Sequence, residues 1–468
     1  MRARGPRTIL LLLCLFAPCC ARQADAYSLL THEQLIDLTW QNAIVPLLLS
    51  RYPNLSPAQL DEARAYAYGG CVIQDIGYYP FGDLFFSDLT HYVRSGDFVV
   101  NLFRNATNAD ELAFAVGALS HYIGDSLGHS LATNLSVPVE FPRLRAEYGP
   151  VVSYSEGEHQ HVQTEFAFDI NEIAHHRMAP IRYLRHIGLA VPVHQLALAY
   201  FQTYGLTDDF AHGKRHRINV GAYRFAVRAF IPRIAYALTL LHRRHEPADP
   251  DNPEAKALEE ESAAIAKAND WDRYRRHAGI GTYTLAGLIF ILPKFGPLKL
   301  VAVKGPTEDT ESEYIHSVTV SAATLSRLLA RFTPVAKRSA EENTAEQARR
   351  AAHSKEPVPL ASRDPNHPLP NRDLDTGHVV RPGGYSLTDS TYAELLHRLA
   401  RRPAQPIPPG IKEDIEAFYA NPGLPITTKR DPQKWAAVLR DLATLKAMPT
   451  SAEPASYPTY DDEADDVP

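Results

Sequence analysis

The sequence predicts an all-α fold, a helical bundle followed by smaller helical appendages and disordered linkers, and three observations predict it. Apolar residues recur at helical spacing from Tyr27 to about Glu246. Strand-like alternation closed by hairpin turns is scarce over the same stretch. Helix-start chemistry also recurs. Ser56-Pro57 reads as a cap followed by a first-turn proline, and Asn108 opens a second helix with Asp110 and Glu111 in its first turn, where the helix dipole favours acids. In that second helix Leu112, Ala115, Leu119 and Tyr122 mark one face for burial.

Taken in chain order, residues 1–26 read as an export signal. Arg2, Arg4 and Arg7 precede the apolar run Ile9 to Ala17, and the small-residue site Ala24-Asp25-Ala26 comes after it. Cleavage there makes Tyr27 the first residue of an exported, periplasmic or extracellular chain. Residues 27–246 form the main helical domain, and Glu246 to Pro253, with three prolines and three acids, reads as a linker. Residues 247–337 are a helical and apolar extension. Within it Ala278 to Leu292 reads as a buried hairpin or a membrane-contacting segment. Residues 338–383 read as a linker, charged and rich in Ala and Pro as far as Asn371. The region 384–448 is a small helical unit in which Asp431-Pro432 starts an amphipathic helix with Trp435, Val438, Leu439, Leu442 and Leu445 on one stripe. The acidic, proline-rich tail 449–468 reads as disordered.

Charge and cysteine content narrow the classes. The 468 residues carry a formal charge of −6, which becomes −9 once the signal takes away four Arg and one Asp. That balance disfavours a protein that coats nucleic acid and predicts no stable nucleic-acid partner, although it leaves a nuclease possible. Three of the four cysteines lie in the signal, so Cys71 has no intramolecular disulfide partner in the mature chain. A single cysteine gives no support to a thiol nucleophile.

The sharpest chemical signal is His121-x-x-x-Asp125-x-x-x-His129, three donors spaced by four on one helix. At 3.6 residues per turn they share a face, and that face runs on from the apolar one. Two imidazoles and a carboxylate buried together call for a compensating cation, and neutral His with ionised Asp suits zinc. The alternative is a helix whose polar groups are satisfied by hydrogen bonds. His161-x-x-x-Glu165 repeats the spacing downstream, with Glu172, His176 and His159 as rivals nearby. His32, Asp75 and His91 are further candidates, each alone readable as structural: Asp75 as a turn cap before Gly77, His91 as a satisfied histidine.

Their order along the chain changes the reading. Tyr27, His32, Asp75, His91, His121, Asp125, His129, His161 and Glu165 together resemble the site of the zinc-dependent phospholipases C and related single-strand nucleases. In that family the ligands run from the mature amino-terminal residue through an early His, an Asp, a His, a helical His-x-x-x-Asp with a following His, and a final His-x-x-x-Glu or Asp pair. The resemblance covers about Tyr27 to Glu246 and implies a helical bundle with a three-zinc cleft. It implies one zinc on Asp75, His91, His121 and a bridging Asp125, and a second on His129, His161 and Glu165. A third would sit on His32, Asp125 and the backbone amine and carbonyl of Tyr27, so that signal cleavage becomes a condition of activity. Two departures stand out. The family begins its mature chain with Trp where this one has Tyr27. It places the next His six residues after the helical Asp, where this chain has Leu131 and instead offers His129 at four, as in glycosylphosphatidylinositol-specific phospholipase D.

The resemblance implies hydrolysis of a phosphodiester, with Asp75 orienting or deprotonating the attacking water. Three features favour a phospholipid headgroup: Glu165 in the last pair resembles the phospholipase branch, the chain is acidic, and the apolar stretch from Ala278 to Phe295 suits transient contact with a bilayer surface. A nuclease or nucleotidase using the same metals is the alternative, with Tyr78, Tyr79 and Phe81 as a base-stacking platform. A non-catalytic protein stabilised by zinc is another. Phosphohydrolases built on an adjacent His-Asp pair are disfavoured, because the chain has no such dipeptide.

Overall fold

A computed structural model describes residues 29–78, 82–207, 210, 224–225, 227–228, 231–241, 252–275, 279–291, 305–333 and 367–452. The signal, the cleavage site, Tyr27, most of the 246–253 linker, residues 338–366 and the tail from 453 lie outside these. Among the described residues the fold is all-α. The only extended pairings there are two isolated bridges, Arg372 with Val379 and Ile407 with Thr450.

Eleven helices build and support the site: α1 (Leu29–Thr39), α2 (Pro57–Gly70), α3 (Leu84–Tyr92), α4 (Ser95–Asn105), α5 (Ala109–Gly128), α6 (Glu158–Ala174), α7 (Val193–Tyr204), α8 (Glu308–Phe332), α9 (Ser386–Ala400), α10 (Pro409–Phe418) and α11 (Pro432–Ala447). The start signals operate as their chemistry requires. Ser56 and Gln59 close a capping box on α2 with Pro57 in the first turn. The Asn108 side chain accepts the backbone N–H of Glu111 at 2.9 Å. Asp431 caps α11 through Gln433 and Lys434.

Helix α5 is the central post, with α2, α4 and α8 packed on it. Its amino-terminal half is amphipathic, while Ala113 to Gly128 is buried on every side. The approach of α2 is set by glycines. A Cβ on Gly117 would collide with the carbonyl oxygen of Ala67, and one on Gly70 with that of Phe114. Only residues without a side chain let the two backbones come this close.

One apolar core runs from α1 and α5 into the carboxy-terminal helices, taking in Leu395 and Leu396 of α9, Ile411 and Ile415 of α10, and Val438 and Leu442 of α11. The helices read from sequence as appendages therefore share the core of the bundle. On α11 the buried stripe is Val438, Leu442 and Leu445, with Leu439 half exposed, because Leu439 lies a residue off the line that the other three define. The apolar stretch, expected as a buried hairpin or a membrane-contacting segment, forms one helix, Ile280–Ile291, and not a hairpin over those residues. It packs on the helix Ile231–Leu241, burying Ala286 and Ile289 and exposing Ile280 and Tyr283. At the downstream end of the expected 338–383 linker, Arg372, Asp373, Leu374 and Asp375 are buried.

Candidate metal centre

The candidate side chains reach the centre from several separate backbone segments. His32 lies in the first turns of α1, Asp75 in a 3-10 turn over Gln74–Gly77, and His91 near the end of α3. His121 and Asp125 stand one turn apart on α5, and His129 opens a π-helical turn, His129–Thr133, that continues it. His161 and Glu165 stand one turn apart on α6. The Asp75 turn is pinned to α5 by the Gln74 side chain, which donates to the Ala118 carbonyl at 3.0 Å. It is pinned to α3 by Gly77, whose N–H donates to Ser87 Oγ at 2.8 Å. The start of α1 is capped from across the bundle: Asp169 of α6 accepts the backbone N–H groups of Leu30 and Thr31, both at 3.1 Å.

The structure brings eight of the nine sequence candidates together, all at most 1% exposed: His32, Asp75, His91, His121, Asp125, His129, His161 and Glu165. Tyr27, the ninth, lies outside the described residues. Three groups have donor atoms close enough to hold a metal ion: His32 with His121 and Asp125, Asp75 with His91 and His121, and His129 with His161 and Glu165; the first two share His121. The rivals stay outside. His159 and His176 are exposed, and Glu172 is engaged by Arg177.

Backbone acceptors decide which face each imidazole presents. His91 Nδ1 donates to the Ser87 carbonyl at 2.8 Å, His121 Nδ1 to that of Cys71 at 2.9 Å, and His161 Nε2 to that of Val152 at 2.8 Å. A carbonyl only accepts, so each of those nitrogens carries the proton and the opposite one turns a lone pair inward when the ring is neutral. His121 Nε2 then lies 3.4 Å from His91 Nε2. His121 Nε2 is 3.0 Å from Asp125 Oδ2 and 3.7 Å from Asp75 Oδ1, and His91 Nε2 is 3.2 and 3.3 Å from the same two oxygens. His32 Nε2 meets the other oxygen, Asp125 Oδ1, at 3.3 Å. Two ligands on one tetrahedral zinc stand about 3.4 Å apart, so this spacing is that of a coordination shell. His161 Nδ1 and Glu165 Oε1, 3.8 Å apart, are too distant for a hydrogen bond, and both Glu165 oxygens and both Asp75 oxygens have no hydrogen-bond partner.

Electrostatics point the same way. Burial lowers the pKa of His91 and His121, yet Asp125 and Asp75 outweigh it and raise both. Burial works against ionised Asp125 too, but His121, His32 and His91 hold it well below the carboxylate range. Burial depresses His32, His129 and His161, the last to about 4. It pushes Glu165 well above its usual range, aided by Asp125, Asp375 and Asp75. Buried carboxylates left without donors beside imidazoles that turn lone pairs toward them carry a large cost unless a cation sits among them, and the donor set of imidazole and carboxylate fits zinc.

Residues 31–211, which contain all eight converging residues, match the family described as zinc-dependent phospholipase C. This segment is similar to the zinc-dependent phospholipases C. No curated protein and no solved structure matches the chain. In the matched segment His129, four residues after Asp125, reaches His161 and Glu165, while Leu131 is partly buried against the apolar core. The π-helical turn that begins at His129 changes the helical register beyond it, a distortion common at functional sites.

Sequence reasoning missed one acidic neighbour of the metal centre. Asp375, far downstream of the matched residues, is buried with Oδ1 3.6 Å from His129 Nε2. Burial pushes its carboxyl up to about 7, against the pull of the Tyr385 and Tyr92 hydroxyls and His91. No helical period or motif in Asn371-Arg-Asp-Leu-Asp-Thr-Gly signals it. Of the three residues read as a stacking platform, Tyr78 is buried against Tyr154, and Tyr79 and Phe81 lie outside the described residues.

Proposed function

We propose that this chain is an exported zinc-dependent phosphodiesterase that releases a phospholipid headgroup by phospholipase C-type cleavage. The supporting observation is the set of three donor groups, buried and left without hydrogen-bond partners at Asp75 and Glu165. In this reading Asp75, His91, His121 and Asp125 hold one ion, and His129, His161 and Glu165 a second. His32, Asp125 and the freed amine and carbonyl of Tyr27 hold a third. Zinc bound there supplies the acidity that makes water nucleophilic at neutral pH and the positive charge that offsets the phosphoryl oxygens.

The rest is the work of the chain's own groups. Asp75 directs Oδ1 at His91 and His121 and keeps Oδ2 without a hydrogen-bond partner, so that oxygen takes up the proton of the attacking water. Carbonyls behind His91, His121 and His161 fix the rings so that no reorientation is needed during reaction. The buried setting excludes bulk water and strengthens each charge interaction. A lipid substrate is favoured over nucleic acid by the acidic chain, by Glu165 in the last pair, and by the Ile280–Ile291 helix, which exposes Ile280 and Tyr283 for transient contact with a bilayer surface. Among the described residues no helix is long and apolar enough to cross a membrane.

Purified secreted protein assayed on phosphatidylcholine vesicles, phosphatidylinositol vesicles and single-stranded DNA, with zinc content and the amino-terminal residue determined on the same sample, tests the proposal. The expected result is Tyr27 at the amino terminus, three zincs per chain and headgroup release from one lipid. Asp125→Asn should abolish turnover and lower zinc content. Nucleotide release without headgroup release selects the nuclease reading, and a single tightly held zinc without turnover selects a non-catalytic scaffold.

A further inference from the structure

Asp375 lies outside the segment that matches the phospholipase C family, yet its backbone is fastened to helices of the metal centre on both sides. The Leu374 N–H donates to the carbonyl of His91 at 3.1 Å, and the Asn134 side chain donates to the carbonyl of Asp375 at 2.8 Å. Ser95 Oγ donates to the Arg372 carbonyl at 2.6 Å and accepts the Arg372 N–H at 3.0 Å. Gly377, at a φ of 69°, lets the turn press against the Ser126 carbonyl, where a side chain would collide. The carboxylate between these anchors is divided in its duties. Oδ2 accepts from the hydroxyls of Tyr92 at 2.9 Å and Tyr385 at 2.6 Å. Oδ1 has no hydrogen-bond partner and lies 3.6 Å from His129 Nε2.

We propose that Asp375 is a zinc ligand, the donor that the carboxy-terminal region adds beside His129. The inference rests on the zinc reading above. One oxygen clamped by two hydroxyls while the other is left bare toward a ligand imidazole is the arrangement of a metal-bound carboxylate with its supporting shell. A carboxylate buried only to receive the two tyrosines would leave Oδ1 desolvated with nothing in return. The 3.6 Å separation from His129 also approximates the distance of about 3.4 Å between two ligands on one tetrahedral zinc. Asp375 thus makes the region beyond the family segment part of the metal centre, where it joins His129, His161 and Glu165.

The test is a zinc titration of the full secreted chain against a chromophoric chelator, with the d–d spectrum of the cobalt-substituted protein as a second readout. Asp375→Asn should hold one zinc fewer than the parent, or release it at least tenfold more readily, and should change the cobalt spectrum. Asp373→Asn serves as the control for the turn, because Asp373 accepts the backbone N–H of Thr376 at 3.0 Å. That variant should keep parental zinc affinity. Parental zinc retention in Asp375→Asn overturns the proposal, as does equal loss in both variants, which would make the turn and not the carboxylate responsible. A parent chain without zinc overturns the metal reading itself, and this proposal with it.

Discussion

The carboxylates of this chain act according to what faces them. Asp125 is surrounded by imidazoles and held ionised, whereas at half-buried Asp110 burial, aided by Glu62 and Glu111, raises the pKa to about 6. A folded-state value above the unfolded one means that the folded protein binds the proton more tightly. The stability tied to that proton is therefore complete below the unfolded pKa of about 4 and lost as pH climbs through 6. Asp110→Asn should melt with the parent near pH 4 and above it at pH 7.5, as differential scanning calorimetry would show; a melting difference independent of pH would refute this account. At this scale the sequence was legible where donors repeat every four residues, as at His121, Asp125 and His129. It was opaque at Asp375, because a carboxylate on an irregular turn has no period to announce it and its partners, Tyr92, Asn134 and His129, come from distant helices.

Helices carry the site through their spacing. The contact of α2 with α5 at Gly70 and Gly117 sets where the Cys71 carbonyl lies, and that carbonyl receives the N–H of His121. Gly117→Ala puts a methyl group into the Ala67 carbonyl, a backbone atom that cannot rotate away. The expected cost is about 1–3 kcal/mol of stability, together with weaker zinc retention as His121 loses its support. Urea denaturation and chelator competition measure the two effects; unchanged zinc affinity in a destabilised variant would separate helix spacing from ligand orientation. Caps made the starts of α2, α5 and α11 readable from Ser56, Asn108 and Asp431. The start of α1 was not readable, since its cap is Asp169, which packing alone brings from α6.

Across the whole molecule, buried ion pairs join the family segment to helix α8 beyond it. Arg177 bonds Glu172 on α6 through Nε at 3.0 Å and reaches Glu311 on α8 through Nη2 at 2.8 Å, while Gln34 of α1 donates to Glu172 at 2.9 Å. Replacing Arg177 with Met would strand two carboxylates in the interior, at an expected cost of about 3–5 kcal/mol measured by urea unfolding. A loss below about 1 kcal/mol would show that α8 is held by its apolar face alone. The all-α class was visible in periodicity, but the sharing of one core by α9, α10 and α11 was not, because periodicity names a buried face without naming its partner. Three imidazoles owe their aim to main-chain oxygens at positions 71, 87 and 152, which every amino acid possesses. Substitutions at those three positions therefore leave the acceptors in place, and ring alignment there answers to the path of the chain, so drift in the letters at these sites costs the centre little while a bend in a helix costs it much.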